Sequence, residues 1–160
     1  MSNDVEFKLD TESLQNALKG LNDKEMKKAV HTGLRKSGGI IVKEARAVLK
    51  EKVGRTVANR KHYHYKKSKN RIAYTTLSKD IRLKLHKKDD MVKINVMKSP
   101  LHWFQSGTQV RQTSKGYNRG KMEGKYIGFF SVAKSRKERA AMDTIEKNII
   151  DAAYKIWNKK

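Results

Sequence analysis

The sequence predicts an α+β fold: a small antiparallel sheet, a long N-terminal helix and a C-terminal helix packed on one face, and two long basic loops. Three observations carry this. Apolar residues recur at helical spacing in two long segments towards the two ends of the chain. Short segments between them alternate apolar and polar residues at period two. Two stretches rich in Lys and Arg interrupt that order with no apolar period of their own.

Val5, Phe7 and Leu9 alternate with polar residues and read as a short opening strand, followed by the helix-start chemistry of Asp10 and Thr11. Leu14, Ala17, Leu18 and Leu21 then fall at helical spacing. Asn22, with Glu25 three residues later, resembles a capping box for a second, longer run. That run places Met26, Ala29, Val30, Leu34, Ile40, Ile41, Ala45 and Val48 on one stripe and Lys24, Lys27, Lys28, Lys36 and Lys43 on other faces. Gly38-Gly39 in its middle costs ~1 kcal/mol per residue relative to alanine. Either the helix bends there or another backbone approaches closely, and the small residues Gly33 and Ser37 favour the close approach.

Over residues 52–70 Lys, Arg, His and Tyr replace the apolar period, which predicts a long mobile loop. Structure resumes at Ile72. Ile81, Leu83 and Leu85, the turn-forming Lys87-Lys88-Asp89-Asp90, and Val92, Ile94 and Val96 make a hairpin, and Pro100 ends its second strand or marks an edge. Trp103-Phe104-Gln105-Ser106-Gly107-Thr108 has the pattern of a buried strand surfacing into a loop, with Gly107 as a turn residue. The apolar run at residues 126–133 is its expected pairing partner. Between them, residues 109–125 hold Gly116, Gly120 and Gly124 among Arg111, Lys115, Arg119, Lys121 and Lys125. With too few apolar residues to pack on itself, this loop should be flexible in isolation. Ser135 and Glu138 form a further capping box, opening a closing helix whose apolar face is Met142, Ile145, Ile149, Ala153 and Ile156, with Trp157 beside it.

A chain of 160 residues fits one domain, residues 1–160, able to bury roughly 70% of its unfolded surface. Its 38 Lys and Arg against 16 Asp and Glu give a net charge of +22, far beyond what solubility requires, and point to an anionic partner, nucleic acid or an acidic protein face. The absence of cysteine excludes disulfides, thiolate metal sites and cysteine nucleophiles. No apolar run approaches the ~18 residues of a membrane span, and the acidic, alternating residues 1–10 do not read as a targeting segment, so no membrane partner is expected.

His62-Tyr63-His64-Tyr65 is the one pattern that suggests metal. No nearby carboxylate or thiol completes a tetrahedral set, so a solvated or partner-contacting aromatic segment is the stronger reading. Interleaved with Arg60, Lys61, Lys66 and Lys67, Tyr63 and Tyr65 could also stack on bases. Residues 43–88 hold sixteen Lys or Arg and three acids, an imbalance expected to repel itself unless neutralised by a partner. Gly116, Gly120 and Gly124 do not form a phosphate-binding loop, because no Gly-Lys-Ser/Thr follows. Trp103, Phe104, Phe129 and Phe130 read as core or interface residues. His31, His86 and His102 lack a nucleophile partner in sequence and the acids form no pair, so neither catalysis nor a cofactor is expected.

The order of these pieces resembles the tail-completion, or neck, proteins of tailed double-stranded-DNA bacteriophages, also called head-to-tail joining or minor tail proteins. The likeness spans roughly residues 11–158: a long amphipathic helix, a variable loop, Thr76-Leu77-Ser78-Lys79-Asp80-Ile81 opening a strand, a hairpin, an aromatic strand ending in Gly-Thr, a basic Gly-containing loop, a Phe-Phe strand and a closing helix. Trp103-Phe104 with Gly107-Thr108 carries the first signature of that family, and Phe129-Phe130 with Ala133 the second. Gln105 stands where the family carries a glutamate, which removes a possible charge pair.

The resemblance implies a structural virion protein of the phage neck, assembled in the bacterial host cytoplasm. It would form a hexameric or dodecameric ring that joins the portal or connector complex to tail terminator or tail tube proteins around the DNA channel. Trp103, Phe104, Gly107, Thr108, Arg111, Lys115, Arg119, Lys121 and Lys125, with Arg60, Lys61, Tyr63, Tyr65, Lys66 and Lys67, are then the expected interface residues. Their positive charge would face acidic neighbours or the packaged genomic DNA. The alternative is a basic nucleic-acid-binding protein whose segments 52–71 and 111–125 track phosphates.

Overall fold

The computed structural model describes residues 6–7, 23–66, 71–95 and 101–157, and the chain folds as the α+β protein its periodicities predict. In order, the elements are β1 (Glu6–Phe7), α1 (Asp23–Val53), α2 (Arg55–Ala58), β2 (Lys61–Lys66), β3 (Arg71–Thr76), α3 (Leu77–Asp80), β4 (Arg82–His86), β5 (Met91–Asn95), α4 (Leu101–Ser106), a 3₁₀ turn (Gly124–Tyr126) and α5 (Phe129–Trp157). The helical run expected over residues 14–21, Lys67 and Pro100 lie outside the described residues.

The body is a pair of long helices. α1 buries Val30, Leu34, Ser37, Ile41, Ala45 and Val48, recurring at three- and four-residue intervals, together with Leu49, against Phe129, Phe130, Ala133, Ala141, Ile145 and Ile149 of α5 and the apolar sheet residues. Each fully buried Phe, Ile or Leu is worth roughly 1.5–3 kcal/mol, so this cluster holds the fold together. The helices run antiparallel: Lys36 Nζ donates to Asn148 Oδ1 at 2.8 Å near one end, and Arg136 meets Glu44 and Glu51 near the other.

Gly33 and Gly38 explain how α1 sits between two neighbours. A Cβ at Gly33 would lie 3.4 Å from the Ile145 backbone, so the glycine lets α5 come close. At Gly38 a Cβ would lie 2.4 Å from Leu83 Cδ1 and 2.9 Å from Val92 Cγ1, side chains of the β4–β5 hairpin. Five residues apart, the two glycines lie roughly 140° around the helix at 3.6 residues per turn, so α5 and the sheet take different flanks. α1 continues through Gly38 and Gly39 as one helix.

The expected hairpin forms, with β4 and β5 paired from Arg82↔Asn95 to His86↔Met91. β1 adds to β5 through Glu6↔Lys93 and Phe7↔Val92, giving the order β1-β5-β4. Val92 and Ile94 alternate into the core, and Asp90, at the turn with a positive φ of 44°, accepts or shares a 2.6 Å contact with His31 Nε2 of α1. Between β3 and β4, the Thr76-to-Ile81 segment makes the single turn α3, with Thr76 Oγ1 accepting the Lys79 N–H at 3.4 Å as its cap. Arg46 of α1 donates to the Ile81 carbonyl at 3.0 Å beside it.

Several sequence expectations are corrected. Residues 52–70 do not form one long loop: α1 continues to Val53, α2 follows, and β2 pairs with β3 from Lys61↔Thr76 to Lys66↔Arg71. The register sets Tyr63 opposite Tyr74 and Tyr65 opposite Ile72, so Tyr, Thr and Ile supply the strand propensity that a search for aliphatic alternation does not register. The Trp103-Phe104 segment is helix, not strand, because Leu101 and Phe104 bury at i, i+3 spacing. The residue 126–133 run is not its partner strand: it holds the end of a 3₁₀ turn and the first turn of α5, which opens at Phe129 rather than at the Ser135 capping box. Met142, expected on the buried face of that helix, is exposed.

Candidate partner-binding loop and its base

The junction of α4 and α5 joins the two aromatic signatures directly. Gln105, in the last turn of α4, accepts the Phe130 N–H on Oε1 at 2.9 Å and donates from Nε2 to Ser131 Oγ at 3.0 Å. Its own carbonyl accepts the Gly128 N–H at 3.1 Å. The first N–H groups of α5 have no partners within the helix, so a cap arriving from 25 residues upstream in the chain fixes where the helix starts. Gln105 therefore performs, with an amide oxygen, the acceptor work that a glutamate could perform at this position. Phe129 and Phe130, both fully buried, then anchor the helix start in the core.

Gly107 and Thr108 have separate tasks. Gly107 ends α4: its N–H donates to the Trp103 carbonyl at 2.8 Å, and its φ of +81° lies in the left-handed region open to glycine. A Cβ there would stand 2.7 Å from the Met122 carbonyl oxygen, so both backbone conformation and space require glycine. Thr108 then closes the base of the loop. Its N–H donates to the Met122 carbonyl at 3.1 Å, and its Oγ1 accepts the Met122 N–H at 3.0 Å.

From that base residues 109–125 fold back as two paired arms. Gln112 bridges Asn118 antiparallel, the Arg111 N–H reaches the Gly120 carbonyl at 3.1 Å, and the Arg119 N–H reaches the Arg111 carbonyl at 2.7 Å. Thr113 closes the tip: its N–H donates to the Tyr117 carbonyl at 2.9 Å, and its Oγ1 accepts the Tyr117 N–H at 3.1 Å. Backbone and Thr or Asn side-chain hydrogen bonds thus give the loop a shape that its few apolar residues do not provide.

The loop's charge lies outside this frame. Lys115, Arg119, Lys121 and Lys125 are exposed, as are Val110 and Tyr117. Lys121 pairs with Glu123 at 2.6 Å, and Glu123 is the single acid between residues 109 and 125. Arg111 is the exception. Its guanidinium lies 5.7 Å from the centroid of the half-buried Trp103 ring, a cation–π contact that folds the first arm back onto α4, while the His102 ring also meets Trp103, edge-on at 5.4 Å.

The loop's far end is tied to the helix pair. Lys52 Nζ of α1 donates to the Lys125 carbonyl at 3.0 Å, and the Lys125 ammonium lies 5.2 Å from the Tyr126 ring centroid. Beneath them a shallow groove of about 410 Å³ is lined by Val48, Glu51, Lys52, Lys125, Tyr126, Val132 and Arg136. Arg136 binds Glu51 through two nitrogens, at 3.0 and 3.4 Å, and Glu44 at 3.5 Å. Its hydrogen bond to Glu51, reinforced by its charge, holds that carboxyl below the ordinary carboxylate range and raises the guanidinium in turn. These charges neutralise one another at the loop's foot, where Lys125 also lies, whereas Lys115 and Arg119 are exposed farther out along the loop.

The interface residues expected from sequence therefore separate into two groups. Trp103, Phe104, Gly107, Thr108, Arg111, Lys115, Arg119, Lys121 and Lys125 belong to one continuous unit: Phe104 is buried, Gly107 and Thr108 close the base of the loop, and Lys115, Arg119, Lys121 and Lys125 are exposed on it. Arg60 and Lys61 are exposed at the start of the β2–β3 hairpin, and Tyr63, Tyr65 and Lys66 follow along β2. Among the described residues, no hydrogen bond or ion pair ties Arg60 or Lys61 to the 109–125 loop. Sequence reasoning missed Gln105 as a helix cap and Lys52 as the tether of the loop's end. The only signal for Gln105 was its place in the Gly-Thr motif.

Among the described residues no group of three His, Asp or Glu side chains is arranged to hold a metal ion, and no helix is long and apolar enough to cross a membrane. No protein-family model matches the chain, and comparison with curated proteins and with solved structures likewise gives no match.

Proposed function

We propose that this chain is a structural protein of a tailed-phage neck, forming a ring between the portal or connector complex and the tail and acting by assembly rather than by chemistry. The observation that carries the reading is the Gln105 contact. The two short signatures on which the family resemblance rests, residues 103–108 and 129–133, meet in space through that one side chain. A motif pair separated in sequence but joined at the base of a projecting basic loop is what a module for presenting that loop requires. Cross-arm hydrogen bonds hold the loop's shape while four of its cations, with Val110 and Tyr117, are exposed, an arrangement suited to docking on a neighbour.

A second reading has its own observation. The β2–β3 hairpin and its flanks lie in the most basic part of the sequence, sixteen Lys or Arg against three acids over residues 43–88, and Arg60 and Lys61 are exposed there. A basic hairpin of this kind could follow a phosphate backbone.

Light scattering and negative-stain imaging at low and high salt, with and without duplex DNA, separate the two. The neck reading predicts closed rings, formed alone or on a connector or tail template, and persisting at salt concentrations that dissociate bound DNA. A chain that stays monomeric on those templates and binds duplex DNA with a log–log salt slope near −0.9 per neutralised phosphate would establish the second reading instead.

A further inference from the structure

We infer that the basic 109–125 loop of one copy docks on the outer face of α5 of a second copy, so that the chain associates head to tail. The inference deepens the ring reading above, on which it rests, by naming the contact.

The outer face of α5 is unlike the rest of the surface. Met142, Glu146, Ile150 and Tyr154 recur every fourth residue and so form one ridge along the helix. All four are exposed, Met142 to 40%, Ile150 to 50% and Tyr154 to 66%. Asp143 and Asp151 are exposed on the adjoining ridge, where Lys147 lies between them and Lys155 follows. Over residues 138–151 four acids (Glu138, Asp143, Glu146, Asp151) outnumber two cations (Arg139, Lys147), in a chain whose net charge is +22. An apolar ridge edged with carboxylates is thus set into an otherwise basic molecule.

The loop is its complement. Residues 109–125 carry five cations and one acid, with Val110 57% and Tyr117 70% exposed among them. Pairing the two surfaces would bury apolar groups on both sides and set cations against carboxylates, the charge arrangement that fixes partner and register. Their placement favours a contact between copies. The loop is rooted at the N-terminal end of α5 by the Gln105 contact with Phe130, whereas the ridge begins at Met142, twelve residues or roughly 18 Å farther along the helix. Two different patches at separated places on one chain make a heterologous contact, which closes into a ring when its rotation closes.

Charge reversal tests the docking. One variant carries Lys115→Glu, Arg119→Glu and Lys121→Glu; the other carries Asp143→Lys, Glu146→Lys and Asp151→Lys. All six residues are exposed, so both variants should fold, which circular dichroism and melting will verify. Each variant alone sets like charges against each other, and self-association at low ionic strength should weaken roughly a hundredfold. Mixed one to one, the variants recreate opposite charges at every contact, and assembly should return as alternating rings; the chain carrying all six changes should likewise assemble. Wild-type rings that survive both reversals, or single-variant losses that mixing does not rescue, would overturn the docking while leaving a ring intact. A wild type that stays monomeric at every concentration, and also on a connector or tail template, would overturn the docking and the ring together. Unchanged assembly with loss of duplex-DNA binding in the loop variant would assign the loop to nucleic acid.

Discussion

The helix pair and the basic loop are both ordered, but by different forces. α1 and α5 are held by buried Val, Leu, Ile and Phe side chains, and their polar contacts sit at the rim. The loop buries little, and its shape comes from paired backbone groups, two threonine hydroxyls and one glycine held in a left-handed conformation against the Met122 carbonyl. A segment shaped by hydrogen bonds while its charged and apolar side chains face outward is available for a partner in a way that a core element is not. The difference also separates two kinds of damage: mutations in the helices should change stability, and mutations on the loop's outer surface should change association.

Phe129→Ala gives the largest expected effect. It removes a fully buried aromatic at the start of α5 and should cost about 3–5 kcal/mol, read as an early denaturant midpoint. Survival of native stability would mean that the helix pair is not the source of the fold's strength. Gly107→Ala acts on the boundary between the regions. A left-handed φ and a Cβ 2.7 Å from the Met122 carbonyl should together cost about 1–3 kcal/mol and pull the loop from its base, so a variant with unchanged stability and loop spectra would contradict the assigned turn.

Gln105→Ala removes the cap that joins the two signatures and should cost about 1 kcal/mol, with fraying detected at Phe130 and Ser131, whereas Gln105→Glu should keep the cap and gain from the helix dipole. Equal loss in both variants would show that the side chain's acceptor is not what matters. The smallest effect belongs to the exposed Glu51–Arg136 pair. Because the folded-state pKa of Glu51 is lowered, its contribution is present at neutral pH, where the carboxylate is charged in both states, and is lost as the pH falls through that lowered value. The melting-temperature difference between wild type and Glu51→Gln should therefore be slight at pH 7 and vanish in strong acid. A difference that grows on acidification would reverse the assigned sign.

Much of the body was legible in the residues. The stripe from Val30 to Val48 marks α1, the alternation of Leu83 and Leu85 with Val92 and Ile94 marks the hairpin, and Gly38 in the middle of an amphipathic run announces a close neighbour. What was not legible depends on partners distant in sequence. Phe129-Phe130 looks like strand because nothing local starts a helix there; the cap comes from Gln105. The β2–β3 hairpin reads as loop because its strand formers are Tyr and Thr among cations, and cross-strand pairing supplies what each strand alone lacks. In the candidate site, Gly107 showed itself as a turn residue and the cations as a surface. The double tie between Thr108 and Met122, the cation–π contact of Arg111 and the tether from Lys52 are tertiary facts with no sequence periodicity.

Hydrogen exchange resolved to single amides, at dilute and at assembling concentration, tests most directly whether the 109–125 loop is the element that meets a partner. The donors Thr108, Arg111, Thr113 and Arg119 should show modest protection in the monomer, because their bonds lie near solvent, and a marked rise on assembly, while the amides of α1 stay protected throughout. Unchanged exchange at those four amides while protection rises elsewhere, for instance along β2–β3, would contradict the account.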